Sequence, residues 1–258
     1  MMKKILLVIF LISLICVPAF PTNWCEDDDI LGCWPFEDGG TGTTVQDESA
    51  NELDFAVVAG NPTWGSTSPP VSTSTYYMDF DGSGDYLARA GIKTWHDTSL
   101  VQWAKPDTAD LSEAAGFRQY DHNYGGEGHG IEKSNYGDGL WTYKLEINGN
   151  NDTVLSDSAP DGTWQHIAGV YDSDLGVMYM YVDGVIQGST KGIANGTINT
   201  NQEYPLRIGT NPWADHDYAG LIDEVAFFHM ELDSTDIDDI MSNGLVQAAA
   251  TGAPPQIW

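Results

Sequence analysis

Gly162-Thr163-Trp164-Gln165-His166-Ile167-Ala168-Gly169-Val170-Tyr171-Asp172, followed closely by Val177-Met178-Tyr179-Met180-Tyr181-Val182-Asp183-Gly184-Val185, carries the strongest structural signal in this chain. Both runs are rich in β-branched and aromatic residues, the composition of strands. Asp183-Gly184 has the spacing of a two-residue hairpin loop, whose central positions take φ > 0, and Asp-Gly tolerates that conformation. Successive side chains of a strand point to opposite faces, so Val177, Tyr179 and Tyr181 share one face and Met178, Met180 and Val182 the other. With both faces apolar, either a loop covers the second face or it forms a concave aromatic surface.

The same pattern extends outward. Residues 30–36, 76–80, 86–90, 99–105, 140–147, 164–171, 177–182, 185–188, 206–209 and 219–229 read as short strands separated by Gly, Asn, Asp, Ser and Pro. One helix is expected after Leu232. Asp233 or Ser234 caps it, Ile237, Ile240 and Met241 fall on one face, Asp236, Asp238 and Asp239 favour its early turns, and Gly244 stops it. There is no internal repeat and no linker long enough to separate a second domain. The economical architecture is all-β, a sandwich of two antiparallel sheets with one short C-terminal helix.

Of 258 residues, 10 are Lys or Arg and 38 are Asp or Glu, a formal charge of −28. At 41% hydrophobic and 11% aromatic the chain is nevertheless globular in composition, so the acid coats a folded surface. Such a surface repels phosphate backbones and anionic lipid, which argues against nucleic acid as a partner and favours cations, calcium included. Residues 1–19 read as a secretory signal peptide, with Lys3 and Lys4 before an apolar run and small-residue positions Val17 and Ala19 suiting cleavage after Ala19. The run is too short to span a membrane, and bulky Ile15 before Cys16 argues against a lipid-modified cysteine. The exported chain would be extracellular or periplasmic, a compartment in which Cys25 and Cys33 are expected to form a disulfide. Residues 24–245 are assigned to the sandwich and 246–258 to a loose tail.

In its ordered blocks the chain resembles the LamG-like (laminin G-like) domains of the concanavalin A-like lectin and glucanase superfamily, in their bacterial secreted form. The blocks are Trp34-Pro35-Phe36-Glu37-Asp38-Gly39 with the turn 42–51, Met78-Asp79-Phe80-Asp81-Gly82-Ser83-Gly84-Asp85-Tyr86-Leu87, residues 99–106, the stretch 162–172 with Tyr181-Val182-Asp183-Gly184, and Leu206-Arg207-Ile208-Gly209 with Gly220-Leu221-Ile222-Asp223-Glu224-Val225. The resemblance implies a jelly-roll sandwich, often calcium-bound, that recognises carbohydrate or protein outside the cell. Between Ala114 and Gly139 the chain departs from the family, with a longer Gly, Tyr, Asn and His segment where a brief strand and turn are usual.

The family's glucanases carry Glu-x-Asp-x-x-Glu or Glu-x-Asp-x-Glu on one strand, and that motif is absent. Gln165-His166-Ile167 has the wrong order for the lyase motif, so His166 reads as a packed strand residue. Asp47 and Asn51 offer closely spaced oxygens in a turn, and the resemblance, in which calcium ties the first strand region to the last, implies that Asp38 and Asp223 join them as the candidate calcium set. Sugar rings stack on aromatic residues while their hydroxyls meet Asn, Asp and His. The candidate carbohydrate residues are therefore Tyr120, Asp121, Asn123, Tyr124, His129 and Tyr136 in the departing segment, and Trp213, Asp215 and His216 in a later loop. Trp34, Trp103 and Trp164 are expected in the core. The leading expectation is a secreted, calcium-stabilised, non-catalytic binder of a polysaccharide or cell-surface glycan. A glycoside hydrolase or polysaccharide lyase with a noncanonical site, and an adhesive or structural protein binding a protein partner, are the alternatives.

Overall fold

The computed structural model describes residues 23–39, 42–67, 69–92, 96–107, 114–120, 128–133, 139–147, 150–187, 191–192, 198, 205–211 and 217–246. The expected leader 1–19 lies outside them, as does the expected tail beyond its first residue. In chain order the strands are β1 (Ile30–Trp34), β2 (Thr44–Val45), β3 (Phe55–Ala59), β4 (Thr63–Gly65), β5 (Tyr77–Asp81), β6 (Tyr86–Arg89), β7 (Thr98–Pro106), β8 (Ala114–Tyr120) and β9 (Gly128–Lys133). They continue as β10 (Trp141–Ile147), β11 (Asn150–Leu155), β12 (Gln165–Asp172), β13 (Val177–Val182), β14 (Val185–Ile186), β15 (Lys191–Gly192), β16 (Leu206–Ile208) and β17 (Ala219–Phe228), and helix α1 (Ser234–Asn243) closes the fold.

Two antiparallel sheets face each other. A nine-stranded sheet runs β14-β13-β12-β7-β17-β5-β4, with β1 also on β17 and β15 on β13; an eight-stranded sheet runs β11-β10-β9-β8-β16-β6-β3-β2. Their inner faces build one core around Trp34, Phe55, Phe80, Phe117, Tyr143 and Phe227. The hairpin read from sequence is present, with Asp183 at φ 50° and Gly184 at φ 73°, and His166 N–H bonds the Asp183 carboxylate at 2.9 Å.

The outer face of the nine-stranded sheet is covered, but not by a loop. Helix α1 lays Ile237 and Ile240 on Val101, Ala168, Val170, Ala226 and Phe228, and half-buried Tyr179 and Tyr181 pack at the margin. Asp233 caps the helix by accepting from Thr235 and Asp236 N–H, the Asp236 carboxylate returns a bond to Asp233 N–H, and Gly244 ends it at φ 79°. A short 3₁₀ turn, Trp24–Glu26, completes the cover: Trp24 packs edge-on to Phe228 and donates its indole N–H to Asp239 at 2.8 Å. The Cys25–Cys33 disulfide fastens this turn to β1.

The bridge closes a loop between positions 8 apart, so the chain-entropy relation gives about 2–3 kcal/mol of stabilisation. The Cys25→Ser/Cys33→Ser variant is expected to lose that amount in denaturant unfolding; an unchanged midpoint would show that the packing of Trp24 alone holds the turn.

Candidate functional site

Alternation along β5 places Met78 and Phe80 in the core and Asp79 and Asp81 on the outer face. Asp79 lies opposite Leu221 of β17, and Leu221 lies opposite Lys105 of β7, so the row Asp79–Leu221–Lys105 crosses the outer face beyond the end of the helix-covered area. Asp107 follows β7, and Asp161-Gly162 come over from the turn before β12. Together these residues line an open cleft of about 450 Å³. Gly220, at φ 139°, lies in its floor, where a Cβ would strike the Lys105 carbonyl and Pro106; only glycine lets the strands approach this closely.

Trp164, one residue before β12, packs edge-on against Tyr77 of β5 with ring centroids 5.6 Å apart. The indole is partly exposed rather than in the core, which corrects the expectation for this residue; Trp34 is fully buried and Trp103 is 9% exposed. Tyr77 shares a face with Asp79, and Trp164 follows two residues after Gly162 of the lining, so the pair adjoins the cleft. Burial and the neighbouring charges of Asp85 and Asp81 raise the Asp79 carboxyl above the usual range. Hydrogen bonds from the hydroxyl and N–H of Thr163 hold the Asp161 carboxyl below it. The cleft thus offers carboxylate acceptors and one ammonium donor, with an aromatic pair beside it.

Of the carbohydrate residues expected from sequence, only His129 has a described side chain. Asp121, Asn123, Tyr124, Tyr136, Trp213, Asp215 and His216 lie outside the described residues. Tyr120 ends β8, where it pairs with Gly128, and its side chain is likewise outside them. His129 requires correction: it is no loop ligand. It sits in β9 with its ring 4.5 Å from Phe227 of the opposite sheet, and burial pushes its pKa down to about 3. Within the Ala114–Gly139 departure lies a strand pair, β8 and β9, whose Gly-rich composition conceals it.

The candidate calcium set also fails a fit. Asp47 is spent on its own turn: Oδ1 accepts from Cys33 and Ser49 N–H, and Oδ2 from the Ser49 hydroxyl and Leu53 N–H. Asn51 donates to the Ile30 carbonyl at 2.9 Å, and Asp38 accepts from Gln46 N–H. Asp223 is buried in β17 beside Glu224. Among the described residues no three His, Cys, Asp or Glu are placed to hold a metal ion. Protein donors occupy both Asp47 oxygens and the Asp38 carboxylate, while Asp223 Oδ2 is buried without a donor among the described residues.

Asp223 and Glu224 sit at a bulge, where the partner of β17 changes from β5 to β1, and Glu224 takes φ 49°. The Glu224 carboxylate accepts from the Ser74 hydroxyl and from Leu245 N–H, while burial pushes its pKa up to about 7. Burial and the adjacent Glu224 raise Asp223 well above the usual range.

A further ionic group was missed from sequence. On the outer face of the eight-stranded sheet, Glu132 of β9 bridges Arg118 of β8 and Lys144 of β10. Arg118 and Glu132 are almost fully buried. Glu146 shares the face, but Glu132 aligns with Thr142, so the two glutamates lie roughly 13 Å apart along the sheet, beyond the ~5–9.5 Å of a glycosidase pair. This face holds a buried ion group rather than a hydrolytic pair.

Residues 81–238 match the model of a laminin G family described as the concanavalin A-like lectin/glucanases superfamily. No curated protein sequence matches the chain. Among solved structures the fold is similar to domain 4 of AbnA, an extracellular arabinanase from Geobacillus stearothermophilus, in complex with arabinotriose. That match has 16% identity and a TM-score of 0.57, and covers 83% of this chain and 98% of that one. It is also similar to the binding domain of botulinum neurotoxin serotype D (14% identity, TM-score 0.63, 86% of this chain and 52% of that one) and of serotype G (15%, 0.61, 83% and 50%). The chain therefore spans about half the length of the neurotoxin binding domains, and at these identities the likeness is one of fold. Among the described residues no helix is long and apolar enough to cross a membrane.

Proposed function

Because this chain belongs to the concanavalin A-like lectin/glucanase superfamily, we propose that it is an exported, non-catalytic glycan-binding module that takes its ligand in the cleft beside Trp164. The observation that carries this reading is the open cleft lined by Asp79, Lys105 and Asp161, with the Tyr77–Trp164 pair adjoining it. A sugar ring offers an apolar face to the indole, and its vicinal hydroxyls donate to carboxylates and accept from the ammonium. With four aspartates against one lysine, the cleft favours neutral sugars over sulfated or uronic ones. The arabinanase domain was solved with a neutral pentose trimer, which supports the same choice of ligand. The leader-like residues 1–19 support export.

The test is binding to an array of neutral and acidic oligosaccharides by the intact protein. Trp164→Ala is expected to weaken neutral-glycan binding about tenfold or more, while Trp164→Phe retains most of it. Full binding by Trp164→Ala would place the ligand elsewhere, and silence toward every glycan would sink the reading.

One observation favours a second reading. Asp79 and Asp81 lie roughly 7 Å apart along one face of β5, within the range of an inverting hydrolase, and burial raises the Asp79 carboxyl above the usual range. Asp81 is already engaged, accepting from Ser83 N–H at 2.8 Å. Release of reducing ends that vanishes in Asp79→Asn would replace the binding module by an enzyme; absence of release supports the module.

A further inference from the structure

Strand β17 ends on a second depression. His229, just past its last residue, lines a cavity of about 190 Å³ with Asp28 and Asp29, roughly 30 Å along the strand from the cleft at its start. That cavity shares Leu31 and Asn51 with another of about 420 Å³ that reaches Arg89, so the two form one groove. Its middle is aliphatic, from Leu31, Leu53 and Ile92.

Side-chain amides fix both walls. Asn51 donates to the Ile30 carbonyl at 2.9 Å on one side. On the other, buried Gln119 accepts from Ile92 N–H at 2.8 Å and donates to the Ile92 carbonyl at 2.9 Å. Such a groove loses little freedom when filled.

Arg89 stands at one end with its charge unanswered. Its Nε donates to the Ala90 carbonyl, buried Nη1 has no acceptor, and among the described residues no carboxylate lies within ion-pair distance. Asp47 and Asp54 are near enough to act through space, but Asp47 is committed to its own turn and Asp54 accepts from Asp47 N–H. In a chain with 38 acidic residues and 10 basic ones, a half-buried guanidinium with no carboxylate in ion-pair contact among the described residues has room for one from a ligand. At the opposite end Asp28 and Asp29 present the complementary sign.

The geometry points to a docking groove for an extended peptide segment of a partner protein that carries a carboxylate, an apolar stretch and a basic side chain in that spatial order. The carboxylate pairs with Arg89, the apolar residues pack on Leu31 and Leu53, and the basic group meets Asp28 and Asp29. The aliphatic middle favours peptide over sugar, whose ring faces seek aromatic surfaces. The site is independent of the glycan cleft.

The test uses the full chain and end-blocked tetrapeptides, followed by fluorescence anisotropy: glutamate, two leucines and lysine in either order, and a control with glutamine at both ends. At least one charged peptide is expected to bind, with the control about tenfold weaker. Arg89→Gln should lose about the same factor and Arg89→Lys should recover much of it. Asp28→Asn/Asp29→Asn should weaken binding of the lysine peptide but not of a peptide with glutamine in place of that lysine. A saturating neutral glycan should leave peptide binding unchanged. Equal binding of the control, indifference to Arg89→Gln in a protein of unaltered melting temperature, or capture of oligogalacturonate instead of any peptide would overturn the proposal, as would no binding by either charged peptide.

Discussion

Replacing His129 and His166 together by leucine will make the protein progressively more acid-tolerant than the wild type, the gap widening by about 2.7 kcal/mol for each pH unit below about 6.5. Both rings are buried without hydrogen-bond partners for their nitrogens, and burial alone pushes each pKa down to about 3. The unfolded chain binds these protons near the ordinary histidine value of about 6.5. Above that pH both states are neutral and the histidines add no pH dependence. Below it the unfolded state gains protons that the native state refuses, so stability is lost as pH falls toward 3, by about 1.4 kcal/mol per unit for each ring.

Glu224 acts with the opposite sign. Its pKa in the fold is raised to about 7, so its favourable contribution is complete below the unfolded value and is lost as pH rises through 7; Asp223 shifts in the same direction. The wild-type profile is therefore a compromise between groups that refuse protons and groups that hold them. Urea unfolding from pH 4.5 to 8 on the histidine double variant isolates the acid limb, and the same series on Glu224→Gln isolates the alkaline limb. Curves parallel to the wild type would show that the two histidines reach water or find partners.

Glu132→Gln will destabilise the protein by about 3–5 kcal/mol. The variant removes the charge that answers Arg118 in a nearly closed site, and stranding one buried ion costs more than the pair gains. Lys144 is about a quarter exposed and can turn to solvent, so most of the loss belongs to Arg118. Arg118 makes further contacts, which favours the lower end of the range. Leucine at both 118 and 132 should cost much less than the single change, because no charge is then left behind. A single-variant loss below about 1 kcal/mol would place the ion group effectively in water.

The chain announces its strands where β-branched and aromatic residues alternate with turn residues. β7, β12, β13 and β17 are found within a residue or two of their expected limits, and the helix begins and ends at Asp233 and Gly244 as its capping chemistry requires. β8 and β9 were hidden because Ala-Ala-Gly-Phe and Gly-His-Gly-Ile carry little of that composition; partners on both sides stabilise them instead. The cleft had one legible sign. Met78-Asp79-Phe80-Asp81 alternates apolar and acidic residues, so two carboxylates had to share a face. Trp164 gave none, because a residue at the entrance of a strand can turn inward or outward with the same local sequence.

By itself, then, the sequence determined the all-β class, the hairpin, the helix caps and the cysteine partnership, all set by neighbours in the chain or by the small number of ways to pair. Only the tertiary structure decided what each polar group was left free to do. Asp47 became the anchor of a turn because donors of that turn and of β1 reached its oxygens first, and His129 became a core residue because Phe227 crosses it from the other sheet. Trp164 came to lie partly exposed beside a cleft because Tyr77, 87 positions away, stands edge-on to it. A side chain's chemistry is written in its residue type, but its availability depends on partners from distant strands, and local pattern carries no record of them.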